Sequence, residues 1–173
     1  GLAPSISIDQ KALSHNPRST VGTLTDIYDY LRVLYARVGE VYCPVCGTKI
    51  EKLTVEEMVD IIISRGQELK EEYVTIMSPI VRDRKGEYYQ ILYNYLSLGY
   101  SESRIDGTNY SLRAQVKLAP KQKHDIEIVI DKIMLSDQTR LFEAVENSLD
   151  YSKGLVIANF TKQEFLLSSN WTC

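Results

Sequence analysis

The chain has 173 residues, 44% of them hydrophobic and 25% charged, with a formal net charge of −3. That length buries a core without staples and favours one domain with room for part of a second, and the composition excludes disordered, collagen-like and coiled-coil classes. The negative balance argues against a chain that is basic throughout and built for nucleic acid, and no apolar run approaches the roughly 18–20 residues of a membrane span.

Residues 1–22 read as loop, with a short alternation at Ile6 and Ile8 and polar turn residues from Ser14 to Thr20. No charged segment followed by an apolar one marks a signal peptide, and the missing initiator Met suggests a piece of a longer chain. A first helix is expected from Thr23 to Val38, with Ile27, Leu31, Leu34, Tyr35 and Val38 on one stripe and Gly39 as its stop. A compact knuckle around Cys43 and Cys46 fills 40–53. Thr54 and Glu57 then have the spacing of a capping box, opening a helix that buries Val55, Met58, Val59 and Ile62 and ends near Gly66.

Tyr73 to Val81 reads as a strand whose end Pro79 pushes towards a sheet edge. Arg82 to Glu87 reads as a charged loop. A third helix carries Tyr88, Ile91, Leu92 and Tyr95, closed by Gly99, and a hairpin turns at Gly107–Asn109 between segments 101–106 and 110–116. His124 to Met134 alternates clearly as a half-wet strand. Strict alternation puts Lys132 on the side of Ile130, so its exposure requires the strand to twist or end there. Ser136 or Asp137 caps a fourth helix with Leu141, Phe142, Val145 and Leu149 inward; a strand at 155–160 and an extended piece at 164–167 follow. Helices and strands mix without βαβ alternation, so the expected class is α+β. The compact core is expected at 54–160, with 1–50 and 161–173 flanking it.

Two constellations stand out. Cys43-Pro44-Val45-Cys46-Gly47 places two thiols in one tight turn, as a zinc half-site needs. Inert cysteines, or a redox pair in a reducing compartment, are the other readings. Further ligands would have to come from Cys173, His15 or His124. The second is the run Arg82, Asp83, Arg84, Lys85, Gly86 and Glu87, which is either a solvated loop or a polar recognition surface. Arg104, Asp106 and Lys132 join it on the second reading, since arginine forks grip carboxylates and mixed charge steers a protein partner. Phosphate-binding loops, dinucleotide fingerprints and nucleophile elbows are absent from the sequence, and no complete catalytic machinery is offered.

The segments Gly1–Lys11, Asn16–Thr23 and Asp26–Arg32 strongly resemble the UvrA family, the damage-recognition ATPases of bacterial nucleotide excision repair. The likeness continues through Cys43–Gly47, Arg84–Glu87, Arg104–Gly107 and His124–Glu127. It implies part of the first of two ABC-type ATPase halves, with 1–50 a Q-loop and signature-domain segment, 51–160 an inserted UvrB-binding domain, and 161–173 a return to a truncated zinc site. It implies Gln10 as a nucleotide-sensing glutamine, and Arg104, Asp106, Lys132, Arg82, Arg84, Lys85 and Glu87 as a surface for UvrB. Cys43, Cys46 and Cys173 would be cysteines of the zinc site. ATP and Mg²⁺ would belong to the intact parent, expected to be a cytoplasmic bacterial homodimer that meets damaged DNA. The fragment alone would not be an enzyme. The alternative within the same family is a DNA-contacting segment using Lys11 and Arg18.

Overall fold

The structure, a computed structural model, describes residues 21–47, 49–50, 52–114 and 116–171. By its internal contacts the chain divides into two units, 1–49 and 50–173.

In the first unit, α1 (Val21–Leu24) precedes α2 (Ile27–Val38), so the expected single helix is broken at Thr25 and Asp26. The predicted stripe is helical, but no residue of α2 is buried. The Gly39 amide donates back to Tyr35 and ends the helix. β1 (Val41–Tyr42) and β2 (Lys49–Ile50) pair across the cysteine turn.

The second unit is α+β, as expected. α3 (Val55–Leu69) opens with the capping box: Thr54 Oγ1 accepts from the Glu57 amide at 3.3 Å, and Glu57 accepts from the Thr54 amide at 2.8 Å. Such a cap contributes about 1 kcal/mol. The helix passes through Gly66 and ends at Leu69, where Lys70 takes the left-handed conformation. Gly66 is buried instead, because a Cβ there would strike Leu135 and close on Phe160.

β3 (Tyr73–Lys85), α4 (Tyr89–Ser97), β4 (Glu102–Ile105), β5 (Thr108–Ser111), β6 (Lys123–Met134), α5 (Gln138–Ser152), β7 (Leu155–Asn159) and β8 (Glu164–Ser168) follow. The strands form one antiparallel six-stranded sheet in the order β5-β4-β6-β3-β7-β8. Packed on β3, β6 and β7, α3 and α5 enclose a core containing Met58, Ile62, Val74, Ile76, Ile133, Leu141 and Val156. A second core gathers Val81, Leu92, Ile105, Ile126 and Ile128 with Tyr88 and Tyr95 of the α4 region. Ile130 packs against both.

Three expectations are corrected. The charged run is not a loop: Arg82, Asp83, Arg84 and Lys85 continue β3, paired as far as Lys85 opposite Lys123. Pro79 does not end the strand. It sits where β3 has lost its β7 neighbour, since that ladder stops at Met77, so its missing N–H costs no ladder bond on that side. The hairpin turns one step earlier than expected, at Asp106 and Gly107, whose φ of 50° and 80° make the two-residue type I′ pattern that Asp-Gly favours.

The exposure of Lys132 has a local cause. Ile76 faces Asp131 and Met77 faces Val129, leaving Ile130 unpaired as a bulge. The extra residue inverts the alternation, so Ile126 and Ile128 point inward before it, while Ile133 points inward and Lys132 outward after it.

Candidate functional site

The helices cover one face of the sheet. On the other, Arg104 of β4 lies directly opposite Glu127 of β6, and its Nε donates to Glu127 at 3.2 Å. Its other arm donates to Glu164, the first residue of β8. Three strands separate β4 from β8 in the sheet order, so strand twist must carry these two diagonal corners towards each other. The register places Met77 and Ile157 on the same face, partners buried to 1% and 6% exposure without belonging to either helix-side core. Burial disfavours charge on Arg104, but the bonds to Glu164 and Glu127 outweigh it and raise the guanidinium pKa. Arg104 is thus a part-buried clasp and not a freely solvated surface arginine.

Lys132 stands at the opposite end of β6. It is exposed, with Nζ 5.9 Å from the Tyr73 ring centre. It borders an open cavity of about 290 Å³ with Tyr73, Thr75, Asn159 and Glu71. The Glu71 carboxylate accepts from the amides of Thr161 at 2.7 Å and Lys162 at 3.1 Å. The Thr161 bond leads in holding its pKa below the usual range. Next to the bulge, Asp131 takes a two-pronged grip from Arg140 at 2.6 and 2.9 Å.

Asp106 has an internal task. Its Oδ1 accepts from the Asp125 amide at 2.8 Å, and its Oδ2 lies 2.7 Å from Nδ1 of the buried His124. Nε2 of His124 lies 3.0 Å from the Ala119 carbonyl, so it carries a proton. Burial alone would raise the Asp106 pKa, but the His124 and Asp125 bonds bring it below normal. The Asp106 bond, then the Ala119 bond, raise that of His124. Both ring nitrogens are therefore occupied, which removes His124 as a metal ligand.

Arg82, Arg84, Lys85 and Glu87 are exposed. Asp83, at φ 50°, receives Lys123 at 2.5 Å. These residues form a charged end to the β3–β6 ribbon, beyond the clasp.

Cys43 is buried and Cys46 exposed, in a turn where the Gly47 amide donates to the Cys43 carbonyl at 2.9 Å and Gly47 takes φ 70°. The turn suits two thiolates on one ion. Among the described residues, however, no group of three or more His, Cys, Asp or Glu could hold a metal. Gln10, Lys11, His15, Arg18 and Cys173 lie outside the described residues. Among the described residues, no helix is long and apolar enough to cross a membrane.

The residues that sequence reasoning missed are Glu127 and Glu164. Glu127 could have been paired with Arg104 once the β4–β6 register was known; nothing local points to Glu164.

The sequence profile of the UvrA interaction domain matches residues 54–162, the span holding both cores and the clasp arginine. The chain belongs to the UvrA interaction domain family. It is similar to UvrABC system protein A of Clostridium tetani, 45% identical over the whole chain, and of Thermus thermophilus, 46% identical over the whole chain. It is also similar to the protein of that name from Deinococcus radiodurans, 48% identical over 90% of the chain. The chain spans 18%, 18% and 16% of these relatives, less than a fifth of their length. Within the UvrA interaction domain, the open sheet face thus carries Arg104 and Lys132, two of the residues expected from sequence, while Asp106 is turned to holding the hairpin.

Proposed function

We propose that this chain is the partner-docking domain of a UvrA-type nucleotide excision repair protein, and that it receives UvrB on the open face of its sheet. The observation that carries this reading is the face itself. In a domain of the interaction family, it is the side the helices leave uncovered, and it carries Lys132, Arg104 and two carboxylates together with apolar residues.

Docking is a matter of charge and register. Lys132 meets a carboxylate of the partner, Glu127 and Glu164 flank Arg104, and the ribbon end with Arg82, Arg84, Lys85 and Glu87 steers the approach. Contacts of this kind set on-rate and orientation more than raw affinity and weaken with salt. The domain performs no reaction itself. Binding of ATP, contact with damaged DNA and dimerisation belong to the longer protein, in the bacterial cytoplasm.

The test is a calorimetric titration of the 173-residue chain with UvrB at low and moderate salt. Saturable 1:1 binding that weakens with salt is expected, and Lys132→Glu should weaken it about tenfold or more with unchanged melting. Absence of binding by the folded chain, or full binding by Lys132→Glu, would sink the proposal.

A further inference from the structure

We infer that Glu164 occupies, in the free protein, the position on Arg104 that an acidic side chain of the docking partner takes in the complex. This rests on the docking reading above and adds to it an internal competitor.

The two carboxylates on Arg104 are not equivalent. Glu127 is its register partner on the adjacent strand, with a side chain only 13% exposed. It is built into the sheet and neutralises the guanidinium where both are largely withdrawn from water. Glu164 comes from an edge strand 60 residues away and is 41% exposed. It opens β8, directly after the turn that Glu71 ties down through Thr161 and Lys162. One guanidinium thus holds two carboxylates, a local excess of negative charge, and the second is the accessible one. Glu164 keeps contact with water while Arg104 is largely withdrawn from it, so a carboxylate arriving from outside can replace that of Glu164 and preserve the charge balance of the guanidinium. Removing Glu127 would instead strand a part-buried cation.

What shares this face defines the kind of partner. Met77 and Ile157 are buried on it, and Leu166, opposite Ile157, is 43% exposed. When Glu164 swings away, Arg104 remains anchored by Glu127 beside this apolar strip. The occupant that fits is a protein segment presenting a carboxylate next to an apolar side chain. Nucleic acid would offer phosphate without the apolar neighbour, and the strip disfavours it.

Glu164→Gln removes the competing charge at nearly constant volume and leaves the Arg104–Glu127 pair in place. Titrated with UvrB, this variant is expected to bind about two- to tenfold more tightly than the wild-type chain. The gain should vanish in Arg104→Gln/Glu164→Gln compared with Arg104→Gln. Thermal melting of each variant confirms that the fold persists. Wild-type binding with no gain in Glu164→Gln overturns the exchange and leaves the docking reading standing. Failure of both chains to bind UvrB removes the docking reading and this inference with it. A gain seen with duplex DNA instead of UvrB overturns the choice of a protein carboxylate.

Discussion

His124 Nδ1 lies 2.7 Å from Asp106 Oδ2, and this one contact ties the β4–β5 turn to the start of β6. The same carboxylate accepts the Asp125 amide, so the turn that reverses the hairpin also anchors the neighbouring strand.

Stability should depend on pH through this pair. The folded pKa of His124 is raised above 6.5, so its contribution is fully present below 6.5 and is lost as pH rises through the folded value. That of Asp106 is lowered below 3.8, so its contribution is present above 3.8 and is lost as pH falls through the folded value. The pair therefore stabilises most between those limits. Thermal unfolding should show Asp106→Asn more destabilised relative to wild type near pH 5.5 than near pH 9. An equal deficit at both would mean that the histidine is not protonated by folding.

Ser103 is fully buried on β4, and its hydroxyl has no hydrogen-bond partner among the described residues. A buried hydroxyl without a partner costs about 1–3 kcal/mol. Ser103→Ala should leave stability unchanged or raise it by about 1 kcal/mol, read as a higher denaturation midpoint. A clear loss would reveal a partner for that oxygen.

Ser148 is buried as well, but occupied. Its Oγ lies 3.0 Å from the Met77 carbonyl and 3.2 Å from that of Leu155, where the β3–β7 ladder stops, while its own carbonyl accepts from Ser78 Oγ at 2.8 Å. Ser148→Ala should cost about 1–3 kcal/mol in urea unfolding. The opposite outcomes expected at Ser103 and Ser148 separate burial from hydrogen bonding, since both residues are 0% exposed.

Deleting Ile130 should leave the register of β6 intact. Val129 still faces Met77 and Asp131 still faces Ile76, so without the bulge residue strict alternation keeps Lys132 outward and Ile133 inward. The deleted chain should keep a cooperative melting transition at a lower midpoint, because it loses the packing of Ile130 against both cores, while Lys132→Ala should melt within about 0.5 kcal/mol of wild type. Loss of the cooperative transition on deletion would mean that the bulge itself is needed to hold the strand.

Much of the fold could be read directly. The Thr54–Glu57 spacing, the strand over 124–134 and the α5 cap at Asp137, whose carboxylate accepts the Arg140 amide, all appear where local chemistry dictates. What escaped was decided at a distance. Arg82 to Lys85 carry no apolar alternation, because the end of the β3–β6 ribbon is solvated, so nothing local marks them as strand. The bulge is hidden because Ile128 and Ile130 are both apolar and continue the pattern by eye. Gly66 reads as a helix stop but is a close contact with Leu135 and Phe160, residues far along the chain. At the site, the sequence marks Arg104 and Lys132 but not the sheet face they share. The Arg104–Glu164 contact, 60 residues apart, follows only from sheet order and twist.

β6 is also a ruler. Glu127, which holds Arg104, and Lys132 belong to one uninterrupted strand, so the distance between the two charged points is set by covalent backbone and a single bulge. No loop or hinge can tune it. Whatever binds across both points must carry its own charges at that spacing, and a relative that gained or lost one residue in β6 would need a compensating change in its partner.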